Sequence, residues 1–135
     1  MRAVRAKNSQ AELALRRELH RRGVRYRLHV QDLPGRPDLA WRNAQVAVFV
    51  DGDMWHGRPD FPERRGRADW QDLFRTNTAY WLEKIARNVS RDRTVDARYA
   101  ELGWTAIRIW ETDILADVDG AAGRVVEALA HQRAD

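Results

Sequence analysis

The chain has 135 residues, 44% of them hydrophobic, with ordinary glycine and proline usage, which bounds it to one domain with a modest core. It contains no cysteine, which excludes disulfides and thiolate metal sites, and no apolar run approaching the roughly 18 residues of a membrane helix. Twenty-four Lys and Arg against twenty Asp and Glu leave a net charge of only +4, so the basic balance favours a polyanionic partner weakly and the placement of the arginines matters more.

Asn8-Ser9 followed by Glu12 has the form of a capping box, and Ala11, Leu15 and Leu19 mark the apolar stripe of a helix that lasts until Gly23. Tyr26, Leu28 and Val30 alternate with polar residues as a first strand. A Leu33-Pro34-Gly35 turn follows, and residues 37–41 make a short second strand. Val46 to Val50 is nearly all apolar and β-branched, the pattern of a central strand covered on both faces. The segment from Asp51 to Thr78, roughly thirty residues, is far longer than an ordinary connection and is therefore suspect as a functional segment. Helical patterning runs from Ala79 to Leu102 and ends at Gly103; Trp104 to Trp110 is a fourth strand, and Asp119 to about His131 a closing helix. The expected order, α-β-β-β-α-β-α, is an α/β arrangement with a mixed central sheet flanked by helices, one domain over residues 1–135. The arginine-rich amino end lacks the apolar stretch of a signal peptide, so a cytoplasmic protein without a membrane partner is expected.

The long helix carries the first chemical signal. Its apolar stripe runs through Trp81, Ile85, Val89 and Tyr99, and Asp92 falls on the same stripe, either as an acid at the edge of a core or as one held for a partner. Beside it, Lys84, Arg87, Arg91 and Arg98 follow helical spacing as a basic rail, which is either a solvated face or a phosphate-contacting one. Asp38, in GRPD, is delivered by a Pro-Gly turn to the start of a strand beside the central one. Taken singly it is turn chemistry, and His56 taken singly is more often structural. Together Asp38, His56 and Asp92 supply a hard oxygen ligand, a near-neutral base and a carboxylate to orient it, the parts that metal-assisted phosphodiester hydrolysis needs.

With LPGRPDL, VFVDGDMWHG and YWLEKIARNVSRD in order along the chain, the sequence resembles the very short patch repair (Vsr) endonucleases, a branch of the restriction-endonuclease-like superfamily. The resemblance implies an endonuclease that uses Mg²⁺ to nick one strand of double-stranded DNA, in its best-known members beside the thymine of a T·G mismatch. It implies that Asp38 and the backbone carbonyl of Val50 hold the ion, that His56 is the general base oriented by Asp92, and that Glu12 positions water beside the ion. It also implies that Met54, Trp55 and Trp81 are wedges against the base stack, next to the phosphate-facing Lys84, Arg87 and Arg91.

The departures from the family matter as well. Asp51 stands where the best-known members have a histidine, which makes it a candidate extra ligand or a helper to His56. Methionine at position 54 is a softer wedge than phenylalanine. Those members also tie this loop down with a structural zinc, whose ligand positions correspond here to Asp53, Arg58, Asp60 and Thr112. None of these four is a thiolate or imidazole, so no zinc is expected, with Arg58 instead bridging Asp53 or Asp60. A homing or defence-type nickase with the same E-D-H-D set, and a catalytically silent DNA-binding domain, are the competing readings.

Overall fold

The computed structural model describes residues 9–134, so Asn8 of the expected capping box lies outside it. Helix α1 is Gln10–Arg21, with Ser9 at its N-cap accepting from the Glu12 amide. Strands β1 (Arg27–Leu28), β2 (Leu39–Trp41) and β3 (Val46–Asp51) follow. A short helix α2, Phe61–Arg64, and a 3-10 turn, Gln71–Leu73, interrupt the long connection before α3, Thr78–Leu102. Strand β4 (Thr105–Trp110) then leads straight into α4 (Glu111–Ala116) and α5 (Val118–Ala134).

The four strands lie in the order β1-β2-β3-β4, antiparallel up to β3 and parallel between β3 and β4. This is the expected mixed sheet, and all six residues of β3 are buried. Because side chains alternate across a strand, β3 divides its residues between two layers. Val46, Val48 and Val50 join Ile107 and Ile109 of β4 against Ala11, Leu15 and Leu19 of α1 and Ala122 and Val125 of α5. Ala47 and Phe49 face the other way, onto Tyr99 and Val95 of α3 and onto Trp104. Each large apolar side chain so covered contributes roughly 1.5–3 kcal/mol. Asp51, the next odd position, emerges on the α3 side of the sheet at its carboxyl end.

Three local expectations change. The first strand is two residues long, ending where His29 takes a left-handed backbone (φ 45°), and Leu28 is exposed. The helix α4 was not expected: six residues contribute a single fully buried side chain, Ile114, too few to set a period. The long connection contains two helical turns of its own, so it is an ordered segment.

The Pro34-Gly35 turn is seated under α3. Gly35 has φ 71°, and a Cβ there would lie 2.8 Å from Val95 and 3.2 Å from the Phe49 ring, while the Tyr99 hydroxyl donates to the Pro34 carbonyl at 2.6 Å. Burial pushes the Tyr99 phenol from an ordinary 10.0 up to about 12, with Arg108 pulling the other way. The folded chain thus keeps this proton to higher pH than the unfolded chain does. The stability it contributes is whole below pH 10 and is lost as pH rises towards 12. An alkaline titration followed by tyrosinate absorbance is expected to contain one late-ionising phenol that disappears in Tyr99→Phe.

Candidate active site

The acids that the sequence scatters meet at the carboxyl end of β3. Asp38 precedes β2 and is clamped on all sides: its amide donates to the Val48 carbonyl at 3.0 Å and its carbonyl accepts from the His29 amide at 2.9 Å. Its Oδ2 accepts from the Val50 amide at 2.7 Å, which seats the carboxylate beside the Val50 peptide. Glu12, buried one turn into α1, reaches across to the same place. Its Oε2 lies 2.7 Å from His29 Nε2 and 3.5 Å from Arg16 Nη1. One ligand atom from each of Glu12, His29 and Asp38 falls within 4.8 Å of the others, a mixed oxygen and nitrogen set from three separate segments.

A second cluster sits on the α3 side. After β3 the chain coils through one helical turn, with the His56 amide bonding the Gly52 carbonyl at 3.1 Å and the Arg58 amide bonding the Asp53 carbonyl at 2.9 Å. The coil presses on α3: a Cβ on Gly57 (φ 67°) would stand 2.6 Å from Val89, and Asn88 Nδ2 donates to the Trp55 carbonyl at 3.0 Å. This delivers His56 Nδ1 to Asp92 Oδ2 at 2.6 Å, with Asp51 Oδ1 at 3.7 Å. Thus the half-buried Asp92 is turned towards an imidazole. A carboxylate on Nδ1 leaves Nε2 as the nitrogen able to take a proton.

Two participants escaped the sequence reading. His29 is in the first cluster, and Arg108 of β4 is in the second, with Nη1 at 3.2 Å from both Asp51 oxygens. Burial pushes the Asp51 carboxyl up, against the opposing pull of His56 and Arg108. For Arg108 a signal was available: it is the one charge in the apolar run TAIRIW, on a strand paired with the central one. His29 had none beyond its place next to a short edge strand.

The remaining candidates line the approach. Met54 and Trp55 are half-buried in the coil, and the Trp55 ring lies 5.7 Å from Trp81, which is stacked at 6.3 Å on Phe74 and meets the exposed Tyr80 edge-on at 4.9 Å. Lys84 is half-buried and Arg87 and Arg91 are exposed on α3, and among the described residues none of the three has an acidic partner. Arg98, by contrast, lies 3.6 Å from Glu101.

Arg58 is the hub of the loop. Its Nε donates to Asp60 at 2.6 Å and its Nη1 to Thr112 Oγ1 at 3.0 Å and Asp113 at 2.9 Å; Asp53 is 3.6 Å away and accepts from the Thr112 hydroxyl. Arg58, one of the four positions that the resemblance matches to zinc ligands, thus bonds or faces the other three. Two acids, a hydroxyl and a fixed positive charge do not fit a tetrahedral zinc site.

A mixed sheet between helices, with carboxylates and imidazoles gathered at the end of its central strand, defines a nuclease of the restriction-endonuclease-like class. A family model described as DNA mismatch endonuclease Vsr matches residues 1–60. The chain is 33% identical over 129 residues to a type II nicking enzyme of Neisseria meningitidis serogroup C, covering 96% of this chain and 82% of that protein. It is 37% identical over 136 residues to a type II nicking enzyme of Lentzea aerocolonigenes, 97% and 75%. With the DNA mismatch endonuclease Vsr of Escherichia coli the identity is 34% over 114 residues, 82% and 66%. The chain belongs to the Vsr family, and it is a DNA-nicking endonuclease.

Arg58→Ala removes three charge-assisted hydrogen bonds at once. We expect about 1–3 kcal/mol lower stability in urea unfolding and faster hydrogen exchange confined to residues 52–60, whereas a chelator leaves the melting temperature of the natural chain unchanged.

Proposed function

We propose that this endonuclease requires Mg²⁺ and nicks one strand of duplex DNA next to a mismatch, T·G being the best supported by the family. The observation that carries the reading is the pairing, within one end of the sheet, of a hard-ligand cluster around Asp38 with an imidazole held at 2.6 Å by Asp92. Two carboxylates and a backbone carbonyl are a donor set suited to a small hard cation; Asp38 and the Val50 carbonyl would hold it, with Glu12 and His29 alongside. A divalent ion there supplies charge neutralisation at the phosphate and stabilises the leaving oxygen.

The chain's own residues do the rest. His56 takes the proton from the attacking water through Nε2, and Asp92 fixes the ring and answers the imidazolium that forms. Glu12 orients water on the Asp38 side. Lys84, Arg87 and Arg91, without acidic partners among the described residues, present positive charge to the phosphates, which gives affinity without sequence choice. Trp55 and Trp81, in one aromatic cluster with Phe74 and Tyr80, offer the apolar wedge that opens a weak base step.

A second reading is a nickase indifferent to mismatches. It is favoured by Met54 at a wedge position and by relatives whose names specify type II nicking. Strand-labelled T·G and matched duplexes decide between the two: mismatch repair predicts one cut, in the thymine strand only, while equal cutting of both duplexes selects the second reading. In either case Asp38→Ala should lose several kcal/mol of transition-state stabilisation, on the order of a thousandfold in rate, without unfolding. Asp92→Asn should slow chemistry about 10–100-fold with little change in DNA binding. Trp55→Ala and Trp81→Ala should lose most of any mismatch preference, whereas Arg87→Ala and Arg91→Ala weaken all duplexes and flatten the salt dependence.

A further inference from the structure

Each of the two carboxylate–imidazole clusters has an arginine beside it: in the first, Arg16 Nη1 lies 3.5 Å from Glu12 Oε2, and in the second one arginine contacts both acids. Asp51, His56 and Asp92 also bring one ligand atom each within 4.8 Å of one another, so their spacing by itself is that of a metal site. Yet a cation of the chain's own is already among them. Arg108 Nη1 lies 3.2 Å from each Asp51 oxygen and 3.4 Å from Asp92 Oδ1, its Nε donates to Asp96 at 2.8 Å, and its Nη2 reaches the Asp92 carbonyl at 3.4 Å. From below, the guanidinium carbon rests 4.2 Å over the ring of Phe49, its register partner on β3. All three nitrogens of the fork are engaged.

We propose that Arg108 is the resident cation of the Asp51–Asp92 pair: a positioning residue that holds Asp92 on His56 and keeps divalent ions out of the second cluster. The proposal rests on the reading of Asp38 as ion ligand and His56 as base, and it gives Asp51 its role. Asp51 is the counter-ion of Arg108 and not a ligand.

The physical argument is one of charge. Asp51 and Asp92 approach the same nitrogen of His56, at 3.7 and 2.6 Å, in a place where Asp51 is buried. Two carboxylates so close repel each other and attract any available cation. With Arg108 between them, one negative charge is cancelled and the other is left to orient His56. Burial pulls the guanidinium pKa down but Asp51, Asp96 and Asp92 raise it, so Arg108 keeps its charge. A guanidinium also has a fixed planar shape, which sets the angle of both carboxylates as a mobile ion could not. Asp51 and Arg108 therefore form one unit: an acid at this point of β3 demands an arginine within reach on β4, two positions before its register partner Trp110.

The test uses the full chain and Mn²⁺ as the probe ion, followed by electron paramagnetic resonance and calorimetry without DNA. Asp51→Asn should leave Mn²⁺ affinity within about twofold of the natural chain, whereas Asp38→Asn should lower it 10–100-fold. Arg108→Gln should admit an additional Mn²⁺ that vanishes when Asp51→Asn is added. In nicking assays Arg108→Gln should lower kcat about 10–100-fold with KM within about twofold, and the Asp51→Asn, Arg108→Gln pair should recover the part of the loss that comes from uncancelled charge. If Arg108→Gln does not fold, Arg108→Lys keeps the charge without the fork and should retain the natural Mn²⁺ stoichiometry with a lowered kcat. A tenfold loss of Mn²⁺ affinity in Asp51→Asn would make Asp51 a ligand and overturn the proposal. So would natural kcat in Arg108→Gln, or no recovery in the double variant. Undiminished Mn²⁺ binding in Asp38→Asn would instead sink the ion-site reading alone, because the kcat loss and its recovery judge Arg108 without reference to that site.

Discussion

Four acids, Glu12, Asp38, Asp51 and Asp53, are the buried charged residues among the described ones, and all lie at one end of a four-stranded sheet. Removing a carboxylate from water is costly unless donors or a positive charge answer it, so the surrounding structure is organised around four such answers. Glu12 is met by His29 and Arg16, Asp38 by the Val50 amide, Asp51 by Arg108, and Asp53 by the Thr112 amide and hydroxyl. Each answer comes from a different part of the chain. Concentrating negative charge in this way draws cations towards this end of the molecule, while the layer of valines and isoleucines holds the acids in place.

Much of this could be read from residue order. The run Val46 to Val50 declared a central strand because β-branched residues without alternation need cover on both faces, and the cover is there in α1 and α5 on one side and α3 on the other. Asp92 was visible as an acid on an apolar stripe, and the structure turns it to His56. Arg58 was visible as a cation among acids. What escaped was anything decided by long-range packing: His29 meets Glu12 only because a left-handed residue ends β1 beneath the helix, and Arg108 meets Asp51 only once the parallel β3–β4 register is formed. Local patterns carry no information about which buried charge will face which. Short helices such as α4 failed for the opposite reason, since a single buried side chain makes no period.

At this loop the chain departs from the zinc-held arrangement that its resemblance to the family implies. A metal-bound loop is as rigid as its ion is tightly bound, and its stability follows the supply of that ion. An arginine donating to Asp60, Thr112 and Asp113 is independent of metal supply and answers to ionic strength instead, though it is shielded by its own burial. How the loop is held is thus separate from any ion that the reaction uses.

The parallel pairing of β3 with β4 has one further effect. Asp51 and Arg108 are 57 positions apart, and His56 and Asp92 are 36 apart, so neither contact exists until the intervening α3 has been made and has packed across the sheet. Contacts of such long sequence separation form slowly, because the chain must first bear the entropy of closing a large loop. During synthesis, a nascent chain that has not yet presented β4 has its basic helix but lacks the clamp on Asp51 and Asp92. The clamp on Asp51 and Asp92 is thus completed only after the basic face of α3 has been synthesised.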